Sequence, residues 1–225
     1  MLPGLMCVPA LSGAKTLTFV SSNKSNDPGS ATVTFTAQNI GGSGDIIICI
    51  LGYDSAASTT TLNNVTIGGS AATLDANVKS TENSDSTIAA VARLRVTSGT
   101  TATIVLTFSA TVVDAGILVY RLQSSPTGAL LDSGSDTINP LDMAGITAAA
   151  GDITLSIASY LRMSGPAESF TTWTNNTADQ NYIVRGPGYG VWMNTAFQNS
   201  ALSAATVTAN SSTTPTAGAA VTVVY

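Results

Sequence analysis

Apolar and polar residues alternate along much of this chain with a period of two. Thr32, Thr34 and Thr36 interleave with Val33 and Phe35; Thr103, Val105 and Thr107 interleave with Ile104, Leu106 and Phe108. Such alternation sends successive side chains to opposite faces and predicts half-buried β-strands. Ile46 to Leu51 and Ile117 to Tyr120 are instead continuous apolar runs, as in strands covered on both faces. Turn formers punctuate these runs at Asp27-Pro28-Gly29, Gly41-Gly42-Ser43-Gly44, Gly68-Gly69-Ser70, Ser98-Gly99, Ser125-Pro126, Asn139-Pro140, Gly165-Pro166 and Gly186-Pro187-Gly188. Ala144 to Ala150 has helix-forming composition, but it is short and lies between turn signals, so at most one turn of helix is expected there. Short strands at this spacing predict an all-β chain forming a two-layer β-sandwich or jelly roll.

The pattern also repeats. Gly44-Asp45-Ile46-Ile47-Ile48-Cys49-Ile50-Leu51-Gly52-Tyr53 matches Gly151-Asp152-Ile153-Thr154-Leu155-Ser156-Ile157-Ala158-Ser159-Tyr160 at five of ten positions. Ala102-Thr103-Ile104 matches Ala205-Thr206-Val207, and each is followed by a strand ending in Val-Tyr, at Tyr120 and Tyr225. A period of roughly 105 residues is too long for a solenoid and suits an internal duplication. The halves are expected at residues 14–123 and 129–225, after an N-terminal segment 1–13. They would be pseudo-equivalent halves of one sandwich or, alternatively, two tandem small β-sandwiches. The short Ser124 to Gly128 connection favours one compact body.

Composition narrows the function classes. Of 225 residues, 44% are hydrophobic but only 9% are charged, there is no histidine, and the net charge is −5. Serine and threonine make up about a quarter of the chain. Eight cationic residues argue against nucleic-acid binding, which depends on Lys and Arg to displace counterions from phosphate. The commonest general base and metal ligand is missing. No apolar stretch approaches the length of a membrane span, and the segment Met1 to Ala10 lacks the basic start of a signal peptide. Cys7 and Cys49 cannot define a disulfide framework; Cys49, inside an apolar run, reads as a small buried hydrophobe.

Candidate chemistry is sparse. Glu82 and Glu168 are the only glutamates, and neither sits in a paired-carboxylate motif. Asp132-Ser133-Gly134-Ser135-Asp136 would supply two carboxylates for glycoside hydrolysis or oxygen ligands for Ca²⁺, yet it reads more simply as a solvated turn without EF-hand spacing. Gly-Asp at 44–45 and 151–152 is turn chemistry, since no Lys or helix follows to make a phosphate loop. Arg93 and Arg95 share one strand face as a sheet-surface pair. No catalytic residue, cofactor or metal is expected. Aromatic residues are the better lead, because Tyr160, Phe170, Trp173, Tyr182, Tyr189, Trp192 and Phe197 all fall in the second half. Trp173, Tyr182, Arg185 and Tyr189 form the candidate ligand-binding set, with core packing the alternative for the tryptophans. Leu2, Leu5, Met6, Val8 and Leu11 give residues 1–13 an apolar side, while Pro3, Gly4 and Pro9 keep it extended; this is the candidate assembly arm.

The order of features carries a resemblance. Phe19-Val20-Ser21-Ser22 is followed by the Gly-Asp strand from Gly44 to Tyr53 and the Thr-rich strand from Thr101 to Ser109. Then come Ala115-Gly116-Ile117-Leu118-Val119-Tyr120-Arg121, the second Gly-Asp strand, and Phe170-Thr171-Thr172-Trp173. This succession resembles the concanavalin-like jelly rolls of phage and bacterial surface proteins. The resemblance implies a non-enzymatic structural protein on the exterior of a phage virion, assembled in the host cytoplasm. A tail fibre or tail-tip appendage is expected; the alternatives are a capsid decoration or spike, and a secreted carbohydrate-binding or adhesin module. The implied partners are other virion proteins, further copies of the chain in a homo-oligomer such as a trimer, and a host-surface glycan or protein. Neither nucleic acid nor membrane insertion is implied.

Overall fold

A computed structural model describes residues 15–55, 59–82, 85–123, 130–137, 139–162, 171–185, 190–211 and 215–225. The first half contains β1 (Thr16–Asn39), β2 (Gly44–Asp54), β3 (Leu62–Ile67), β4 (Ser70–Ala71), β5 (Thr73–Glu82), β6 (Asp85–Val96) and β7 (Thr101–Gln123), all in one antiparallel sheet. Strand β7 is its spine. The first part of β7 pairs with β3 and the end of β1, and its last part pairs with β2 and the start of β1. Between those parts the β1–β7 ladder breaks register around Asn26, Ser30 and Val112. Gly29 lies in this break at a φ of 54°, a left-handed value that glycine takes without steric cost. The sheet therefore curls into an outer layer (β1, β7, β3, β4) and an inner layer ordered β1-β7-β2-β6-β5. Asn77 Nδ2 donates to Leu62 O at 2.9 Å across the open side. Val33, Phe35, Ile46, Ile48, Ile50 and Ile117 are among the buried residues packed between the layers.

The second half contains β8 (Asp132–Asp136), β9 (Leu141–Ala148), β10 (Thr154–Arg162), β11 (Thr171–Thr174), β12 (Thr177–Arg185), β13 (Gly190–Gln198), β14 (Leu202–Ser211) and β15 (Ala217–Val224). It forms one sheet ordered β8-β15-β10-β13-β12 and another ordered β9-β14-β11. The strand order follows that of the first half: β10 takes the place of β2, β13 of β6, and β12 of β5. Strands β15 and β14 take the places of the two parts of β7, and β8 and β9 those of the two parts of β1. The five-stranded sheet lies against the inner layer of the first half. Ile47, Cys49, Leu51, Leu118 and Tyr120 pack there with Ile153, Leu155, Ile157, Met193 and Tyr225. The chain is thus all-β and of the sandwich class, with four layers of sheet and an apolar core along the seam through the middle.

Pairing fixes how the repeat superposes. Ile47 lies opposite Tyr120, and Ile153 exchanges both backbone hydrogen bonds with Tyr225 at 2.9 Å. Ile47 therefore corresponds to Ile153, one residue away from the Gly-Asp-Ile match. A slip of one residue exchanges the two faces of a strand, and the burial agrees: Ile46, Ile48 and Ile50 face the first sandwich's interior, whereas Ile153, Leu155 and Ile157 face the seam. In this register the positions of Ile48, Ile50 and Ile117 are taken by Thr154, Ser156 and Thr222. The second sandwich thus has a polar stripe inside. Ser156 and Thr222 hydroxyls bond each other at 2.7 Å, Asn176 Nδ2 donates to Ser156 Oγ at 2.6 Å, and Thr154 Oγ1 is buried without a partner.

Leu141–Ala148 is strand β9, because alternate residues Leu141 and Met143 enter the core of the second sandwich. One local expectation is corrected. Asp132–Asp136 is no solvated turn but edge strand β8, paired along β15. Its aspartates accept backbone N–H groups from the adjoining segment: Thr147 N to Asp132 Oδ2 at 2.8 Å and Asp142 N to Asp136 Oδ2 at 2.6 Å. Four strand residues apart, these carboxylates are separated by about 13 Å at ~3.3 Å per residue, too far for the glycosidase spacing. Cys49 is a free thiol, fully buried, and burial raises its pKa well above the ordinary thiol value.

Candidate functional site

The expected ligand-binding set does not assemble into one patch. Trp173 is on β11, opposite Ala209 in the outer sheet, and it packs inward on the core where Tyr160 and Trp192 stack with ring centres 5.7 Å apart. Its indole nitrogen is buried and makes no hydrogen bond. Tyr182 and Arg185 are on β12, the edge of the other sheet, and belong to the seam. Tyr182 packs half-buried on the seam core under Lys24, whose Nζ is 6.0 Å from the ring centre. Burial raises the Tyr182 phenol. Tyr189 lies outside the described residues, as do Leu2, Leu5, Met6, Val8 and Leu11 of the arm.

Arg185 joins the halves. Its Nε donates to the buried Asp114 Oδ2 at 2.7 Å, and its Nη2 pairs with Asp27. The hydrogen bond to Asp114 holds the guanidinium above its ordinary pKa, while burial pushes the Asp114 carboxyl up. Lys15 Nζ to Asp152 Oδ1 at 2.7 Å and Lys24 Nζ to Ile183 O at 3.1 Å are further links around the rim. Thr87 and Ser159 hydroxyls meet at 2.5 Å within it.

Two corners of the seam are built reciprocally. Tyr120 and Tyr225 occupy equivalent positions, and each donates its phenol proton to an aspartate on the edge strand of the opposite half. Tyr120 Oη bonds Asp179 Oδ2 on β12 at 2.5 Å and also meets Thr195 Oγ1 at 2.5 Å. Tyr225 Oη bonds Asp75 Oδ2 on β5 at 2.7 Å. Both aspartates fall at register breaks of their strands, where the bulge turns a side chain out of the regular alternation. Burial raises both phenols far above the ordinary tyrosine value. Arg93 covers the second corner: its Nε donates to Asp75 Oδ2 at 2.9 Å and its guanidinium carbon lies 5.6 Å from the Tyr225 ring centre. Arg95, next on the same face, pairs with the buried Asp45 at 3.1 Å. The first corner instead borders a cleft of about 490 Å³, lined by Lys15, Leu17, Ile153, Asp179, Phe197 and Asn199 among others.

Sequence reasoning missed these corners. Tyr120 and Tyr225 are visible as the ends of matching strands, but nothing in the spacing pairs them with Asp179 and Asp75. Among the described residues, no group of three or more His, Cys, Asp or Glu gathers to hold a metal ion. No protein-family model, no curated protein and no solved structure matches the chain.

Proposed function

We propose that this chain is a non-enzymatic structural protein on the exterior of a phage particle, built into a tail fibre or tail tip. The observation that carries the reading is the employment of its carboxylates. Every aspartate is tied into the fold. Asp27, Asp45, Asp75, Asp114 and Asp152 pair with Arg or Lys. Asp54, Asp85, Asp142 and Asp179 accept from hydroxyls, and Asp132 and Asp136 accept from backbone. Without histidine, general acid–base chemistry would fall to such groups, and here they serve as ties between strands and between halves. Two sandwiches locked face to face suit a rigid part of an assembly, and the resemblance to phage jelly rolls supplies its setting.

Mass spectrometry of purified particles from the phage that encodes the chain tests the reading, with antibody labelling in electron micrographs. The chain is expected in stoichiometric amount, labelled at the tail. Particles that lack it altogether refute the proposal, and label over the head moves it to a capsid decoration.

A further inference from the structure

The two reciprocal corners differ at the position of Arg93, and the difference defines a binding site. Arg93 lies opposite Ile47 in the β2–β6 ladder. In the second half, Thr154 lies opposite Gln198, so one further step puts Asn199 opposite Ile153, the counterpart of Ile47. Asn199 therefore stands where the first half has Arg93. At the Tyr225 corner the arginine pairs with Asp75 and lies over an aromatic ring. At the Tyr120 corner the same phenol–carboxylate pair is present, the residue in the arginine's place is a short neutral amide, and a cleft remains.

The charges in this cleft are unbalanced. Lys15 is paired with Asp152 at 2.7 Å, and no described Lys or Arg forms an ion pair with Asp179. Asp179 Oδ2 accepts from Tyr120, and Oδ1 has only a long bond from Gln180 Nε2 at 3.3 Å. Phe197 contributes an aromatic side chain to the wall, and Leu17 and Ile153 contribute apolar ones. A half-buried carboxylate with free acceptor capacity beside apolar and aromatic walls recognises a planar cation, because a guanidinium gives a carboxylate directed N–H bonds and tolerates an aromatic face. Residues 1–14 contain no Lys or Arg, so that segment has no guanidinium to place there.

We propose that the cleft at Asp179 and Asn199 binds a guanidinium group supplied by another molecule, in the manner in which Arg93 occupies the corner at Asp75. The source is either an arginine side chain of a protein partner or a small guanidinium compound. The proposal goes beyond the virion reading and is tested on purified full-length protein, so either can fail without the other.

Binding is measured by calorimetry and by NMR with arginine amide, agmatine and an arginine-containing tripeptide, with citrulline amide as the neutral isostere. The guanidinium probes are expected to bind saturably, and citrulline amide at least tenfold more weakly. Asn199→Arg, at an exposed position, is expected to supply the cation internally and abolish binding without lowering the melting temperature; Asp179→Asn weakens binding at least tenfold. Tighter binding of the tripeptide than of agmatine identifies a protein partner, and the reverse order a small molecule. No guanidinium binding, equal binding of citrulline amide, or undiminished binding by a folded Asn199→Arg variant overturns the proposal.

Discussion

Gly116 marks a close approach of the two halves across the seam. It lies on β7 facing the second half, and a Cβ added there would sit 2.7 Å from Val184 Cγ2 and 3.3 Å from Met193 Sδ. The methionine is flexible and can yield, but the valine is β-branched and stiff at χ1. Gly116→Ala should therefore act as a wedge between the sandwiches. Overpacking of this kind costs about 1–3 kcal/mol, offset by about 0.4–1 kcal/mol from the smaller entropy of the unfolded chain. A net loss of about 1–2 kcal/mol lowers the melting temperature of a chain this size by about 2–8 °C. Scanning calorimetry and urea titration measure it. The decisive variant adds Val184→Ala, which alone also costs stability because Val184 is fully buried. With those methyl groups gone the alanine at 116 has room, so the double variant should lose less than the two single losses together, by about 0.5 kcal/mol or more. Strict additivity, or an unchanged melting temperature for Gly116→Ala, would show that the halves do not meet as described.

Three further outcomes are expected. Thr154→Val replaces a buried hydroxyl that has no partner and should stabilise the protein by about 1 kcal/mol or more, read as a higher urea midpoint at constant slope. Tyr120→Phe strips Asp179 and Thr195 of a shared partner and should cost about 1–3 kcal/mol; a loss within error would mean that this corner is solvated. The phenols of Tyr120, Tyr160 and Tyr225 are raised by burial, so the stability they contribute is complete below the unfolded tyrosine pKa of about 10 and is lost as pH rises above it. Their phenolate absorbance should appear together with loss of β-structure in an alkaline titration; phenolate signal from these residues in a protein with native circular dichroism would contradict their burial.

The alternation of Thr with Val, Ile and Phe located β1 and the first part of β7, because those stretches have one wet face. The same logic stops at β2 and β10. Both are covered on two sides, so the apolar run carries no mark of which residues face the seam, and the match at Gly-Asp-Ile sets the halves one residue out of register. Only the pairing with Tyr120 and Tyr225 corrects it. Strand β8 escaped notice for a related reason: Asp-Ser-Gly-Ser-Asp has turn composition, and its conformation comes from β15 and from N–H groups on β9 and the segment before it. Tyr182 and Arg185 were legible as a pair near one another, but their partners Lys24, Asp27 and Asp114 are distant in the chain. Trp173 resembled a surface residue because its neighbours are Thr and Asn, and its inward side follows from the outer sheet it joins.

The reciprocal tyrosine–aspartate bonds bear on what each sandwich would be by itself. Equivalent faces meet at the seam, and each half both gives and receives the same kind of bond, as the subunits of a two-fold dimer do. The chain is in effect a dimer written as one polypeptide. A gene encoding either half by itself would produce a protein with one oily side, and its most compatible companion would be another copy of itself. The short stretch joining the halves makes that meeting intramolecular, so the association no longer depends on concentration. It also lets the two corners differ, one carrying Arg93 and the other Asn199, which no self-paired homodimer can do.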